Sequence, residues 1–173
     1  GILAGWAADI ALRKEVEGLT PAGIEVRVME VTDDAEVFGR DGLSITAFHV
    51  PHGTWAHAFG FRIEGGGRRV VISGDTDRSD AVAAQCDGCD LLIHEVVSDA
   101  YFRRSGDMPG FERYHGQFHT TPREVGEVAT AGRAQHVVLT HQLFFGDDDA
   151  GLIRGVKQAY DGPVTSGVDL QRF

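Results

Sequence analysis

The sequence predicts an α/β domain, α+β in the looser sense, and three features predict it. Short apolar runs at 70–73 (V-V-I-S), 91–93 (L-L-I) and 136–140 (H-V-V-L-T) have the composition of buried strands. Segments with helical spacing and capping residues stand between and after those runs. A glycine-rich turn, E-G-G-G at 64–67, joins two further strand-like segments as a hairpin. The chain of 173 residues is long enough for one domain with a substantial core.

Taken in order, residues 6–17 (W-A-A-D-I-A-L-R-K-E-V-E) place Trp6, Ile10 and Leu12 or Val16 on one side of a helix. Gly18, Pro21 and Gly23 break it. Residues 24–31 (I-E-V-R-V-M-E-V) alternate apolar and polar side chains, predicting a half-buried strand. Residues 37–42 read as a turn and 43–50 as a strand, which Pro51-His52-Gly53 ends in a loop. Residues 58–63 form the next strand and the hairpin leads into 70–73. That strand stops at Gly74-Asp75-Thr76, where glycine permits a tight turn and leaves a carboxylate at the mouth of the sheet. Such a group is costly to keep charged unless a cation or donors meet it.

Residues 79–85 read as a short helix capped by Ser79 or Asp80, and the strand at 91–93 delivers His94-Glu95 at its end. The long irregular stretch 96–120 has the length of functional or mobile loops. Thr121-Pro122 opens a helix to Ala131, with Glu124 and Glu127 early and Gly132 closing it. The strand at 136–140 ends at His141. The D-D-D at 147–149 caps a helix over 150–160, and 163–168 is a short last strand. The sequence holds no internal repeat, low-complexity tract or domain linker.

The net charge of −10 and pI near 5.1 oppose nucleic acid and anionic membranes as partners of the whole chain. No apolar run approaches the roughly 20 residues that span a bilayer. The first residue is glycine and no signal core follows, so the sequence reads as lacking its natural beginning. Cys86 and Cys89 form a lone C-x-x-C without a second pair to complete a structural zinc site. They read as reduced thiols at a helix–strand corner, which points to a reducing compartment, the cytoplasm.

His52, Asp75, His94 and His141 each sit at or just after the end of an apolar run, and His119 precedes a helix start. Polar groups repeated at matching ends of core elements suit a metal or acid–base site. His49 and His136 read as structural or capping residues and His57 as a rim residue. His115 and His119 are four apart, but Gly116 and the Thr-Thr-Pro that follows argue against a helical metal pair.

Five motifs in order carry a resemblance: V-P-H-G-T-W-A-H-A-F-G-F-R-I (50–63), S-G-D-T (73–76), L-I-H-E (92–95), H-T-T-P (119–122) and V-L-T-H (138–141). Together they resemble the metallo-β-lactamase superfamily, in the branch of ribonuclease Z and arylsulfatase-like metal-dependent hydrolases. The resemblance implies the C-terminal portion of an αββα sandwich: one partial domain over 1–173, with a mixed sheet bearing helices on one face. The other face would pack on an N-terminal half of the same fold and expose apolar surface without it. It further implies that His52 ligates one metal, Asp75 bridges two, and His141 ligates the other. His119 would be the general acid, with Asp75 and Glu95 beside it in catalysis and His94 and Thr76 orienting the ligands. The ions would be two Zn²⁺, with Mn²⁺ as the substitute, and a metal-bound hydroxide would attack.

The family's H-x-H-x-D-H motif is absent; no H-x-H occurs in this sequence. The chain alone is therefore expected to bind metal poorly and to be inactive, with the missing ligands on an N-terminal half. The predicted reaction is hydrolysis of a phosphodiester or similar anionic ester, with Arg103, Arg104 and Arg113 as anion contacts. A transfer-RNA 3′-processing endonuclease, ribonuclease Z, is the first alternative. The short 64–67 hairpin, where short-form ribonuclease Z carries an RNA-gripping arm, disfavours it. The second alternative is a degenerate, non-catalytic binding module. A small anionic ester is the expected partner, and a homodimer is compatible with the sequence.

Overall fold

The structure, a computed structural model, describes residues 2–18, 20, 28–100 and 116–173. It divides into two compact units, Gly1–Glu30 and Val31–Phe173. The first holds helices α1 (Ile2–Gly5) and α2 (Ala7–Val16). The predicted first helix is thus formed, and Arg13 links Asp9 and Glu17 one turn away on either side. The strand predicted over 24–31 is not formed where it is described. Residues 28–31 belong to no strand, and Val28 and Met29 are largely exposed. Alternation is a local signal, whereas a strand needs a neighbour to pair with, and among the described residues the first strand pairing begins at Ala35. Residues 24–27 lie outside the described residues, as do Arg103, Arg104, Arg113 and His115.

The second unit is a seven-stranded mixed sheet in sequential order. Its strands are β1 (Ala35–Arg40), β2 (Leu43–His49), β3 (Phe59–Gly65), β4 (Arg68–Ile72), β5 (Leu91–Val97), β6 (Val137–Leu143) and β7 (Val164–Ser166). The first four pair antiparallel, and β4 to β7 pair parallel. Helices α3 (Asp80–Cys86), α4 (Pro122–Ala131) and α5 (Asp149–Val156) fill the parallel connections. This is the expected mixed sheet with helices on one face. Strand β1 replaces the turn predicted at 37–42: the reversal is the tight Asp41-Gly42 pair, both at positive φ, which folds β1 back onto β2. At the other hairpin, Gly66 and Gly67 take the positive φ values that the sequence provides for.

One apolar core joins the sheet to the helices. Phe48, Val71, Leu92 and Leu139 from the sheet meet Val82, Val125, Val128, Leu152 and Val156 from α3, α4 and α5. The opposite face carries a register row Ile45, Ile63, Val70 and Leu91, all only half-buried. Cys86 and Cys89 are fully buried and joined in a disulfide, not reduced as the spacing suggests. The backbone is the reason: Asp87 and Gly88 both take positive φ and bring the two Cα atoms to 4.7 Å, within bridging range. The argument from free thiols to a reducing compartment has no footing in this fold. No helix among the described residues is long and apolar enough to cross a membrane.

Because β4 to β7 are parallel, their C-terminal ends share one edge of the sheet. Strand β3 runs against β4, so the β2–β3 connection opens at that same edge. Of the predicted site residues that are described, His52, Asp75, Thr76, His119 and His141 lie at that edge, and His94 and Glu95 lie within β5.

Candidate metal centre

Asp75 occupies the loop after β4. Gly74 precedes it at φ +68, where a Cβ would stand 2.3 Å from the Phe59 carbonyl oxygen. Only glycine lets the chain turn so close to β3, and that turn aims Asp75 across the sheet edge. Its Oδ2 lies 3.5 Å from His52 Nε2 and 3.7 Å from His141 Nε2, and its Oδ1 lies 3.0 Å from His119 Nδ1. Four residues from four separate segments therefore meet at one carboxylate.

The His52 imidazole is held from behind. His52 Nδ1 bonds the Phe118 carbonyl at 3.0 Å, which leaves Nε2 for Asp75. The Asp77 N–H donates to the Pro51 carbonyl at 2.8 Å, and the fully buried Thr76 hydroxyl lies between two acceptors, the Asp77 carbonyl at 2.7 Å and that same Pro51 oxygen at 3.0 Å. Those bonds tie the His52 loop to the Asp75 loop. The Thr120 hydroxyl donates to the Thr76 carbonyl at 2.8 Å, joining the His119 segment to both.

Glu95 is inside β5, not past its end, and is 1% exposed. The Thr120 N–H donates to its Oε1 at 2.6 Å, and His119 Nδ1 lies 3.5 Å from its Oε2. Burial pushes the Glu95 carboxyl up to about 7, even though His119 and the Thr120 N–H both favour its charged form. For His119, burial would lower the imidazole, but the bonds to Asp75 and Glu95 prevail and raise it to about 9. Burial would likewise raise Asp75, yet the bond from His119 and the charges of His119, His52 and His141 hold it below the usual carboxylate range. The cluster thus keeps a protonated imidazole beside an ionised carboxylate.

His141 also differs from its predicted place at the strand end. Strand β6 continues to Leu143, and His141 sits in it as an unpaired extra residue: Glu95 faces Thr140 and Val96 faces Gln142. Its φ is +45, a left-handed conformation rare outside glycine. Such a bulge re-aims a side chain, here toward Asp75. Gln142 holds the bulge shut. Its amide nitrogen lies 2.9 Å from the Gly167 carbonyl, 3.1 Å from Ser166 Oγ and 3.2 Å from the Leu139 carbonyl. Beyond Leu139–Ser166, where the β6–β7 pairing ends, that side chain carries on the tie between the two strands. Gln142→Ala is expected to weaken zinc binding about tenfold, the lower end for residues that orient a ligand. Calorimetric titration measures it, and an unchanged affinity would remove Gln142 from this role.

His94 also lies within β5 and points into the core, fully buried. Its Nδ1 is 2.8 Å from the Glu95 carbonyl, so Nδ1 carries the proton and Nε2 is left buried without a partner. Burial lowers its pKa from 6.5 to about 4. In the unfolded chain His94 takes up a proton below 6.5, whereas the folded protein resists it down to about 4. Between those values the unfolded state binds more protons, so stability is lost as pH falls. Urea unfolding of a His94→Leu variant is expected to lose about 2–3 kcal/mol less than the parent between pH 7 and pH 4.5. Parallel slopes for the two proteins would contradict it.

Among other histidines, His49 pairs with Asp34 at 2.7 Å, His57 is exposed on the rim loop, and His136 bonds Thr165 at 2.9 Å. None of these three joins the cluster. Sequence reasoning missed Phe118, Thr120, Ser73 and Gln142. Ser73 Oγ accepts the Glu95 N–H at 3.0 Å, so it holds the carboxylate's own backbone. Adjacency to a named site residue is the one signal these four carry.

The cluster's fit to a metal is testable on its own distances. Two ligands about 2.0–2.1 Å from a tetrahedral zinc stand about 3.3 Å apart. The 3.5 Å and 3.7 Å separations from Asp75 Oδ2 to His52 and His141 are close to that and too long for hydrogen bonds. Asp75 Oδ1 is shielded from solvent 3.0 Å from His119 Nδ1, and the ligand atoms of Asp75, His119 and His141 lie within 4.8 Å of one another. Imidazole and carboxylate donors suit zinc. The residues fit the ion.

Comparisons with known proteins agree with the fold. A family model described as Beta-lactamase superfamily domain matches residues 3–142. Ribonuclease Z of Pseudomonas putida is 32% identical over 114 residues, covering 61% of this chain and 33% of that protein. The structure of the metallo-beta-lactamase fold protein YhfI from Bacillus subtilis matches with a TM-score of 0.63 at 20% identity, over 88% of this chain and 59% of that one. The short form of human tRNase Z matches with a TM-score of 0.53 at 25% identity, over 81% of this chain and 45% of that one. The chain spans about a third of the length of the first curated relatives it matches. A strand-edge cluster of one aspartate and three histidines, on this sheet and in this order, accompanies that match, and the chain belongs to the beta-lactamase superfamily, in its ribonuclease Z-like branch.

Proposed function

We propose that this chain is the C-terminal part of a zinc-dependent hydrolase acting on a phosphodiester or similar anionic ester. The observation that carries the reading is the Asp75 carboxylate with His52, His119 and His141 nitrogens all within 3.7 Å. His52, Asp75 and His141 would hold metal, with both imidazoles facing the same Asp75 oxygen. Bound there, zinc would supply a Lewis acid and an activated water at neutral pH. The remaining ligands would come from the rest of the fold, whose sheet would cover the half-buried Ile45–Leu91 row. On its own, this chain would bind zinc weakly and turn over little.

The chain's own residues do the rest. His119, raised to about 9, is protonated at neutral pH and can donate to the departing oxygen. Glu95 restrains His119 through both the side chain and the Thr120 N–H, and Asp75 faces it from the other side. Phe118 and Thr120 fix the segment that presents the ring.

A second reading, cleavage of a transfer-RNA precursor, draws on the name its curated relatives carry. The two-glycine turn between β3 and β4 leaves no RNA-gripping arm there, and a net charge of −10 opposes polyanion binding. The test is zinc-dependent hydrolysis of bis(4-nitrophenyl) phosphate by the protein in which this chain is joined to the rest of the fold, with precursor tRNA assayed alongside. The expected result is nitrophenolate release lost in His119→Ala. Cleavage of tRNA with no release from the small ester would favour the second reading, and no turnover of either would favour a binding module.

A further inference from the structure

We propose that Trp55 selects substrates whose anionic ester carries a planar aromatic group, such as a nucleoside or aryl phosphate; this rests on the anionic-ester reading of the metal centre. Trp55 is 69% exposed, an indole left in water where burial would favour the fold. Its loop is nevertheless fastened on every side. The Trp55 N–H donates to the His52 carbonyl at 3.0 Å, the Gly53 N–H to the Gln117 carbonyl at 2.7 Å, and the Val50 N–H to the Ala58 carbonyl at 3.0 Å. Gly53 takes φ +55, and the Phe118 ring fills the space where its Cβ would lie.

The consequence is positional. The His52–Trp55 turn keeps the two Cα atoms within about 7 Å of each other. The same Phe118 that packs on Gly53 supplies the carbonyl that orients His52 and leads into His119. An exposed indole is thus mounted one turn from a candidate metal ligand, on a loop bonded to the segment of the candidate acid. Metal at Asp75 would take the anionic ester, and a ring attached to that ester would come within stacking reach of Trp55. Stacking is tolerant of which ring is presented, so the site would discriminate aromatic from aliphatic esters more than one base from another. With a net charge of −10, a single small anion suits the chain better than a polymer.

The test follows the two indole N–H signals, Trp6 and Trp55, in the zinc-supplemented protein during titration with adenosine 5′-monophosphate and, separately, methyl phosphate. AMP is expected to shift Trp55, and Trp55→Ala to weaken AMP about tenfold while leaving methyl phosphate unchanged. Trp55→Phe should restore most of the difference. Equal AMP affinity in the parent and Trp55→Ala, with methyl phosphate bound by both, overturns the Trp55 assignment alone. Binding of neither probe overturns the anionic-ester reading and this inference with it.

Discussion

Replacing Asp75 by asparagine is expected to weaken zinc binding by at least about 100-fold, or about 2.7 kcal/mol, in calorimetric titration. The substitution keeps the volume of the side chain and removes its charge. Three imidazole nitrogens between 3.0 and 3.7 Å away lose the one carboxylate they share. The amide offers a single neutral oxygen where the carboxylate offers two charged ones, and a divalent cation is sensitive to that difference. His119 should respond as well. Part of what lifts its pKa to about 9 is the bond to Asp75, so in the metal-free variant its titration should move back toward the ordinary histidine range. Unchanged zinc affinity in Asp75→Asn would mean that the metal sits elsewhere.

Glu95→Ala is expected to destabilise the protein by about 3 kcal/mol, through a buried N–H without its acceptor and a cavity in its place. The Thr120 N–H now donates to Glu95 Oε1 at 2.6 Å, and Thr120 itself is fully buried. For a chain of this size, that amounts to a fall of about 10 °C in Tm. Glu95→Gln separates hydrogen bonding from charge. Its amide oxygen can still accept from Thr120, and no buried carboxylate then has to ionise near pH 7. The glutamine variant should therefore lie within about 1 kcal/mol of the parent while lowering the His119 pKa. Equal loss in both variants would place the effect in the charge and not in the bond.

The elements most legible in the sequence are those whose ends are set by local chemistry. Helix α4 begins and ends where Thr121-Pro122 and Gly132 predict, and Glu124 reaches back to the Thr121 N–H at 2.9 Å. Asp148 caps α5 by accepting the Gly151 N–H at 2.7 Å, although α5 stops at Val156, short of the predicted Tyr160. Strand ends are less legible. The sequence reading stops one strand before His94-Glu95 and another at His141, because charged residues inside a strand look like its termination. Glu95 stays in β5 because Thr120, 25 residues later, satisfies it. His141 stays in β6 because a bulge absorbs it. Neither contact has a local signature.

The candidate site was legible in its residue types and spacing. Its supports were not, since Phe118 acts through a carbonyl and Gln142 through β7, and neither role depends on a motif. The Cys86–Cys89 disulfide was missed for a similar reason. Its closure depends on positive φ at Asp87 and Gly88, and although an Asp-Gly pair favours such a turn, the turn alone does not say whether the flanking thiols are joined.

The central claim is that His52, Asp75, His119 and His141 share one site. Imidazole ¹H–¹⁵N correlation spectra recorded while zinc is added to this chain test it most directly. The account predicts that His52 and His141 signals change together in step with the metal, with His119 perturbed beside them and His49, His57 and His136 unmoved. Zinc-linked changes at His49, His57 or His136, with His52 and His141 silent, would contradict it.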